Sequence, residues 1–478
     1  MGTGHVMRMI ALGQAWKTLG GEVRFVGQTA PLTKRLEDEG FVCVPSAGAQ
    51  GSEDDLAALM ECTSQGQWVV LDGYLFDASY QQALRSRGRL VLVVDDVCNR
   101  QTYNADILLN QNPDAADYDY GINADCTRLS GTRYALIRKE FLAHAKAKPP
   151  PGEPVRHLLV TMGGSDPSGI TAAAMEAIER TNDPSLKTRI IVGAANPVLP
   201  ALREKARRTA LPMELVVDTP DMGRHMAWAD ICMAAAGSTS WELCLFGIPT
   251  ILFVVADNQA GIGRSLERQG AAVVMHPPVS TTGIATALKA LIADRERRES
   301  MHATCTGIID GKGAARVAGA MIRHGMTLRP VTADDSDTLL RWRNDPSVRS
   351  RSFQSDIVPH KQHEAWFAAK LVDPDCLFYM AVDRNGTPMG QVRFDRSEPN
   401  SVVSLNVAPE LVGMDIGTAM LHTACEKMRQ EWPGTGVVAL VKADNAPSAR
   451  MFIKAGFARA DVPDGSTLRF EWPGRSNE

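Results

Sequence analysis

The chain has 478 residues, 44% hydrophobic and 22% charged, which excludes a disordered or fibrous chain and leaves room for about three domains of ordinary size. A formal net charge of −4 excludes a global attraction to nucleic acid or an anionic membrane. Phosphate recognition must then be local, and the expected partners are small molecules. No apolar stretch reaches the roughly 18 residues needed to span a bilayer, and residues 1–20 lack a signal-peptide layout, so a cytoplasmic protein is expected. Cys43, Cys62, Cys98, Cys126, Cys232, Cys244, Cys305, Cys376 and Cys425 are widely spread without a C-x-x-C pair. They read as reduced core residues.

From Glu22 onward, β-rich runs alternate with helix-patterned ones: EVRFVGQ with PLTKRLEDEG, FVCVPSA with SEDDLAALMEC, WVVLDGY with DASYQQALRSRG, RLVLVVDD with ADILLNQ. Such alternation predicts a parallel sheet wrapped by helices. HAKAKPPPGEPVR (residues 144–156) reads as a linker, because proline fixes φ and removes donors. The alternation restarts with HLLVTMGG, TRIIVG, MELVVD, DICMAAA and PTILFVVA. This predicts two doubly wound lobes in tandem, residues 1–148 and 153–325, with a cleft between them. At Met326 the pattern changes, and LFYMAVDRNGTPMGQVRFD reads as a hairpin followed by the strand SVVSLNVAP. Residues 326–478 are therefore expected to form a mostly antiparallel α+β domain.

In the second lobe, MGGSDPSG follows a strand and precedes a helix, so Gly163, Gly164 and Ser165 are candidates for close backbone approach to an anion. AAAGSTSWELCLFGIPTI places Gly237, Ser238 and Thr239 at a second strand-to-helix turn, with Glu242 one helical turn on. Amides and hydroxyls there suit a diphosphate, and the carboxylate suits ribose hydroxyls. Glu242 could alternatively close a capping box with Ser238 or Thr239. The run from Gly237 to Ile251 resembles the donor-nucleotide motif of the two-lobed glycosyltransferase superfamily that includes the lipid-II-forming N-acetylglucosaminyltransferase. VADNQ resembles its next motif, which implies a UDP-sugar ligand with Asn258 and Gln259 facing the sugar.

In the first lobe, Gly4 and His5 open an amphipathic helix, VMRMIALGQAWKTLG. A histidine at a helix N-terminus feels the positive dipole end, which favours the neutral imidazole that a general base requires. GTGHVMRM, LDGY, DILLNQN and YALIRKEF together resemble the UDP-sugar hydrolases of the pseudaminic acid pathway, over roughly residues 1–325. That resemblance implies a glycosyltransferase-B-type fold and metal-free displacement of UDP by water from UDP-2,4-diacetamido-2,4,6-trideoxy-β-L-altropyranose. By motif, His5 would activate the water, with Asp72 and Tyr74 near the sugar; both also fit as strand-end structural residues. The lipid-II-forming enzymes carry a similar loop ending in histidine, so a UDP-sugar transferase is an alternative reading. Met7, Arg8 and YALIRKEF favour the hydrolase. In the resembling family an apolar strand precedes the G-x-G-H loop, and this sequence shows none before Gly2. The expectation is a misassigned or truncated start and a gap in the first sheet.

LRPVTADDSDTLLRWRNDPSVR, MGQVRFD, SLNVAPELVGMDIGTAML and DNAPSARMFIKAGF resemble the GCN5-related N-acetyltransferases over roughly residues 326–465. The resemblance implies acetyl-CoA as co-substrate, held near Val407, Gly413, Ile416, Gly417, Thr418, Asn445 and Ser448. The family's Q/R-x-x-G-x-G/A loop is altered. Val412 replaces the basic or glutamine residue, and Asp415 replaces the first glycine, where a carboxylate is expected to repel the pyrophosphate. Phe452 stands where a tyrosine acid often lies. In the pathway, acetylation of the UDP-4-amino sugar precedes UDP removal, so one activity would feed the other. A degenerate nucleotide-sugar-binding protein is the alternative of a different class.

Overall fold

Runs of Val, Leu and Ile form the strands of the computed structural model, which describes residues 3–28, 32–46, 48–98, 100–146, 154–164, 166–193, 196–460 and 466–472. Contacts divide the chain into two units, Met1–Ala314 and Ala315–Glu478. Among the described residues no helix is long and apolar enough to cross a membrane.

The first unit opens with the helix Thr3–Thr18, then β1 (Arg24–Val26) and β2 (Val42–Val44), which pair in parallel. A separate four-stranded parallel sheet follows, made of β3 (Trp68–Asp72), β4 (Leu90–Val94), β5 (Ile107–Asn110) and β6 (Thr127–Ser130) in that order. ADILLNQ is β5 and not a helix: its four strand residues are all buried, too few for helical turns and suited to a strand covered on both faces. Among the described residues the first-lobe strands thus form two sheets, joined through the first helix. Its Ile10 packs with Leu36 and Phe41 beside the small sheet, while its first turn reaches the end of β3. The sequence expectation about the chain start concerns Met1 and Gly2, which lie outside the described residues.

The second lobe is one six-stranded parallel sheet built from β7 (His157–Thr161), β8 (Lys187–Val192), β9 (Met213–Val217), β10 (Ile231–Ala235), β11 (Thr250–Phe253) and β12 (Ala272–Met275). Its order is β12-β11-β10-β7-β8-β9, the doubly wound arrangement. Period-2 alternation divides each strand between two cores: Ile231 and Met233 of β10 lie in one cluster, Cys232 and Ala234 in the other. The helix Lys139–Ala145, which the linker expectation left with the first lobe, contributes Phe141 to the second-lobe cluster beside Trp241 and Phe246. Of that linker, residues 147–153 lie outside the described residues.

In the second unit, β13 (Thr327–Pro330), β14 (Cys376–Val382), β15 (Pro388–Ser397), β16 (Asn400–Val407), β17 (Gly436–Lys442), β18 (Ala458–Ala460) and β19 (Thr467–Trp472) form one sheet, ordered β13-β14-β15-β16-β17-β19-β18. The D-R-N-G turn closes the β14–β15 hairpin as expected, with Asp383 Oδ1 accepting from the Asn385 and Thr387 amides and Gly386 at φ +83°. Only β16 and β17 run parallel, and their pairing ends at Val402 and Val438, beyond which the two strands part. All nine cysteines are free thiols; Cys232, Cys244, Cys305 and Cys425 are core residues, but the other five are only half-buried, a correction to the expected burial.

Candidate functional site

His5 lies in the first turn of the helix Thr3–Thr18, and Asp72 ends β3. His5 Nδ1 sits 2.7 Å from Asp72 Oδ1. This contact fixes the ring and leaves Nε2 as the nitrogen available to a substrate or water. Arg8, one helical turn after His5, donates from Nε to Asp72 Oδ2 (2.6 Å) and from Nη2 to Asp72 Oδ1 (2.5 Å). The same guanidinium donates to Asp96, just past β4, from Nη1 (2.7 Å) and Nη2 (2.9 Å), and its Nη2 lies 3.0 Å from His5 Nδ1. Helical spacing puts His5 and Arg8 on one face, and two neighbouring parallel strands deliver both carboxylates at their C-terminal ends.

Burial pushes the Asp72 carboxyl up, but the Arg8 hydrogen bonds and charge outweigh it and hold the group below the usual carboxylate range. Asp72 is therefore an anion that orients His5. The Tyr74 ring stands edge-on to His5 at 5.6 Å, and its hydroxyl lies 3.5 Å from Asp96 Oδ2, with the side chain of Asn258 of the second lobe close by. Burial and the Asp96 charge raise the tyrosine's proton affinity, so it is a hydroxyl donor at neutral pH.

The second-lobe turn meets this cluster. A Cβ on Gly4 would lie 3.5 Å from Ser238 Oγ, and one on Gly237 would lie 3.7 Å from Gln259 Nε2. Gln259 Oε1 accepts from the Val255 amide at 3.1 Å, which fixes the loop carrying Asn258. Thr239 begins the helix Thr239–Leu245. Ser238 makes no side-chain cap bond, so the capping box considered for Glu242 is not formed. Glu242 instead lies 3.6 Å from Arg138 Nη2. Its carboxyl is pushed up to about 7, burial outweighing the Arg138 charge.

The loop after β7 differs from its sequence expectation. Asp166 Oδ1 accepts from the Ile170 amide (3.0 Å) and Oδ2 from the Thr171 amide (2.8 Å), so a carboxylate already occupies the first amides of the helix Ile170–Glu179. Gly163 takes φ +81°, and Gly164 packs on Gly193, where a Cβ would lie 2.2 Å from its carbonyl oxygen. A tight turn accounts for Gly163, and the close approach accounts for the glycine at position 193. Ser165 lies outside the described residues.

In the second unit, Asp415 adopts φ +60° immediately before the helix Ile416–Glu431. That left-handed backbone is why glycine suits the position. Lys454 offsets the charge expected to repel, its ammonium lying 2.9 Å from Asp415 Oδ2. Gly413 has φ +90°, and a Cβ on Gly417 would lie 2.8 Å from Met451 Sδ and 3.2 Å from Val407 Cγ2, so close packing of the helix on β16 requires that glycine. Thr418 follows in the first helical turn. Asn445 caps the helix Ala446–Lys454 by accepting from the Ser448 amide at 3.3 Å. Phe452 is buried and stacked on Phe470 in the core.

Residues 158–316 match the Glycosyltransferase family 28 C-terminal domain, and residues 326–458 match the Acetyltransferase (GNAT) domain. The chain carries both domains. Its fold is accordingly glycosyltransferase-B-like, followed by a GNAT-type domain. Among its relatives, the Spore coat polysaccharide biosynthesis protein SpsG of Bacillus subtilis is 25% identical over 35% of this chain and 50% of its own length. The UDP-2,4-diacetamido-2,4,6-trideoxy-beta-L-altropyranose hydrolase of Campylobacter jejuni is 23% identical over 50% of this chain and 89% of its own. The UDP-N-acetylglucosamine--N-acetylmuramyl-(pentapeptide) pyrophosphoryl-undecaprenol N-acetylglucosamine transferase of Solidesulfovibrio magneticus is 28% identical over 39% of this chain and 54% of its own. The chain thus spans only about half the length of two of these three relatives.

Of the residues named from sequence, the structure places His5, Asp72, Tyr74, Gly4, Gly237, Ser238, Asn258 and Gln259 near one another. Sequence reasoning missed Asp96, Arg138 and Lys454, and used Arg8 only to separate two resemblances. One signal could have found Asp96: it closes RLVLVVDD at the C-terminal end of a parallel strand, where α/β sites form.

Proposed function

We propose that the first unit hydrolyses a UDP-linked 2,4-diacetamido-2,4,6-trideoxy sugar to free sugar and UDP in pseudaminic acid biosynthesis, and that the GNAT domain acetylates the UDP-amino sugar that becomes its substrate. The observation that carries this reading is the half-buried His5–Asp72 pair beside the second-lobe turn Gly237–Ser238. Water bonds to the anomeric carbon, the bond from that carbon to the phosphate oxygen breaks, and His5 Nε2 takes the proton from water. UDP is already a good leaving group, so positioned water and one base suffice without a metal. Gly237, Ser238, Thr239 and Glu242 would hold the nucleotide, with Asn258 and Gln259 toward the sugar.

Acetyl-CoA fits the second unit as its co-substrate. The parted ends of β16 and β17 and the positive-φ loop from Gly413 to Asp415 leave backbone groups near Val407, Ile416, Gly417 and Thr418, and Lys454 adds a cation beside them. Acetyl-CoA supplies the acyl group when bound; Asn445 and Ser448 shape the adjoining helix start.

A UDP-sugar transferase is the second reading, favoured by the 28% identity to the Solidesulfovibrio transferase. Incubation with the UDP-diacetamido sugar and no acceptor separates the two. Mass spectrometry should detect free sugar and stoichiometric UDP, and acetyl-CoA should be consumed only when the 4-amino precursor is supplied. UDP formation that requires an added sugar acceptor would establish the transferase instead.

A further inference from the structure

Arg138, just before the helix Lys139–Ala145, makes two unequal charge contacts. Its Nη1 donates to Glu140 Oε1 at 2.7 Å, whereas its Nη2 stays 3.6 Å from Glu242, too long for a hydrogen bond. The Arg138 and Glu242 side chains are 11% and 16% exposed, so both contacts are shielded from bulk water while the Glu242 carboxylate is not sealed off. The guanidinium lies over the Phe141 ring, 4.7 Å from its centre, and Phe141 belongs to the second-lobe core. Glu140 is held from the first lobe. Arg35 donates to its Oε1 at 2.8 Å, and Gln14 donates to its Oε2 at 3.4 Å while accepting from the Lys139 amide at 2.8 Å. We infer that Glu140 and Arg138 are positioning residues for nucleotide specificity: Glu140 holds the guanidinium back, so that Glu242 is aimed by a positive charge that leaves its oxygens to the ribose hydroxyls. This inference rests on the reading of Glu242 as the ribose carboxylate.

An unrestrained guanidinium beside a carboxylate closes to hydrogen bonds of about 2.7–2.9 Å, commonly two at once. Arg138 reaches that distance with Glu140 and not with Glu242. It has capacity to spare, because its Nε is buried and, among the described residues, makes no hydrogen bond. Glu140 cannot follow it toward Glu242, since its carboxylate is already shared with Arg35 and Gln14. This stand-off has a chemical use. A carboxylate closed on a guanidinium has few lone pairs left for a sugar, whereas one steered from 3.6 Å keeps them for two neighbouring hydroxyls. Glu140 is also a like charge near Glu242. By charge alone, neutralising Glu140 would leave ribose recognition intact or strengthen it. By positioning, the same change releases Arg138 onto Glu242 and weakens it, so the two accounts predict opposite signs.

The test is calorimetry on the full chain with UDP and 2′-deoxy-UDP as probes, above about pH 7, where Glu242 is ionised. Wild type should prefer UDP by about 10- to 100-fold, the worth of a hydrogen bond to a charged group. Glu242→Gln should erase that preference. Glu140→Gln keeps the shape of the side chain and removes the restraint, so the preference should fall toward unity. A merely structural loss would weaken both nucleotides alike and leave the ratio unchanged. Arg138→Met keeps the packing on Phe141 and removes the aiming charge; the preference should fall there too, and this variant decides the matter if Glu140→Gln fails to fold. A preference in Glu140→Gln equal to or above that of wild type, together with its loss in Glu242→Gln, would overturn the inference and leave the ribose reading standing. No preference in wild type, or an undiminished one in Glu242→Gln, would instead overturn the ribose reading itself, and the inference with it.

Discussion

Asp72 and Asp415 are both carboxylates held by a basic side chain, yet they differ in what surrounds them. Asp72 is nearly inaccessible, receives two guanidinium hydrogen bonds and faces the His5 ring. Asp415 is 21% exposed, meets one flexible ammonium and pays for its place with a left-handed backbone. The first arrangement is rigid and fixes a proton acceptor; the second only offsets a charge near a loop that glycine would fit better. A buried fork and a surface pair at similar distances therefore have very different energetic weight.

Breaking each pair sharpens that contrast. Arg8→Leu leaves two carboxylates without their cation and should cost about 3–5 kcal/mol in urea unfolding of the first unit. A loss below about 1 kcal/mol would mean that the cluster is well hydrated. Above about pH 7, where its carboxyl is ionised, Glu242→Ala should weaken UDP binding by about 1–3 kcal/mol in calorimetry, since a charge-assisted hydrogen bond to the nucleotide would be lost. Unchanged affinity with a lower Tm would make Glu242 a purely structural partner of Arg138. Lys454→Ala is the mild case: it should change stability by less than about 1 kcal/mol and weaken acetyl-CoA binding mainly at low salt. Equal binding at all ionic strengths would remove Lys454 from the cofactor loop.

Glu242 also gives a pH signature. Its unfolded carboxyl ionises near the ordinary value of 4.5, while the folded one holds its proton up to about 7. Between those values the folded chain binds the extra proton, so this contribution to stability is full on the acid side and is lost as pH rises through the window. Glu242→Gln should flatten that part of the Tm-versus-pH curve, and an unaltered slope would assign the effect to another group.

Much of the fold was legible because apolar strand runs and glycine-bearing strand ends are local signals. EVRFVGQ, WVVLDGY and DICMAAA each became strands, and the D-R-N-G turn closed its hairpin. The site was legible as far as short motifs reach: His5, Asp72 and Gly237 sit at element ends that the patterns mark. Pairings over long separations were not. Arg8 and Asp96 are 88 residues apart, and no spacing rule links a residue of one helix to the end of a strand that pairs elsewhere. Asp166 shows the converse failure, because the MGGSDPSG motif itself supplies the carboxylate that fills its own helix start. Asp415 looked repulsive in sequence only because Lys454, on the helix Ala446–Lys454, is invisible to a one-dimensional reading.

The most direct test of His5 as the base of a UDP-sugar hydrolase is acceptor-free UDP release by wild type and His5→Asn, with UDP affinity measured on both. Wild type should release UDP, and the variant should lose about 10²- to 10⁴-fold in rate at nearly unchanged UDP affinity. Near-normal release by His5→Asn would contradict the role given to the His5–Asp72 pair.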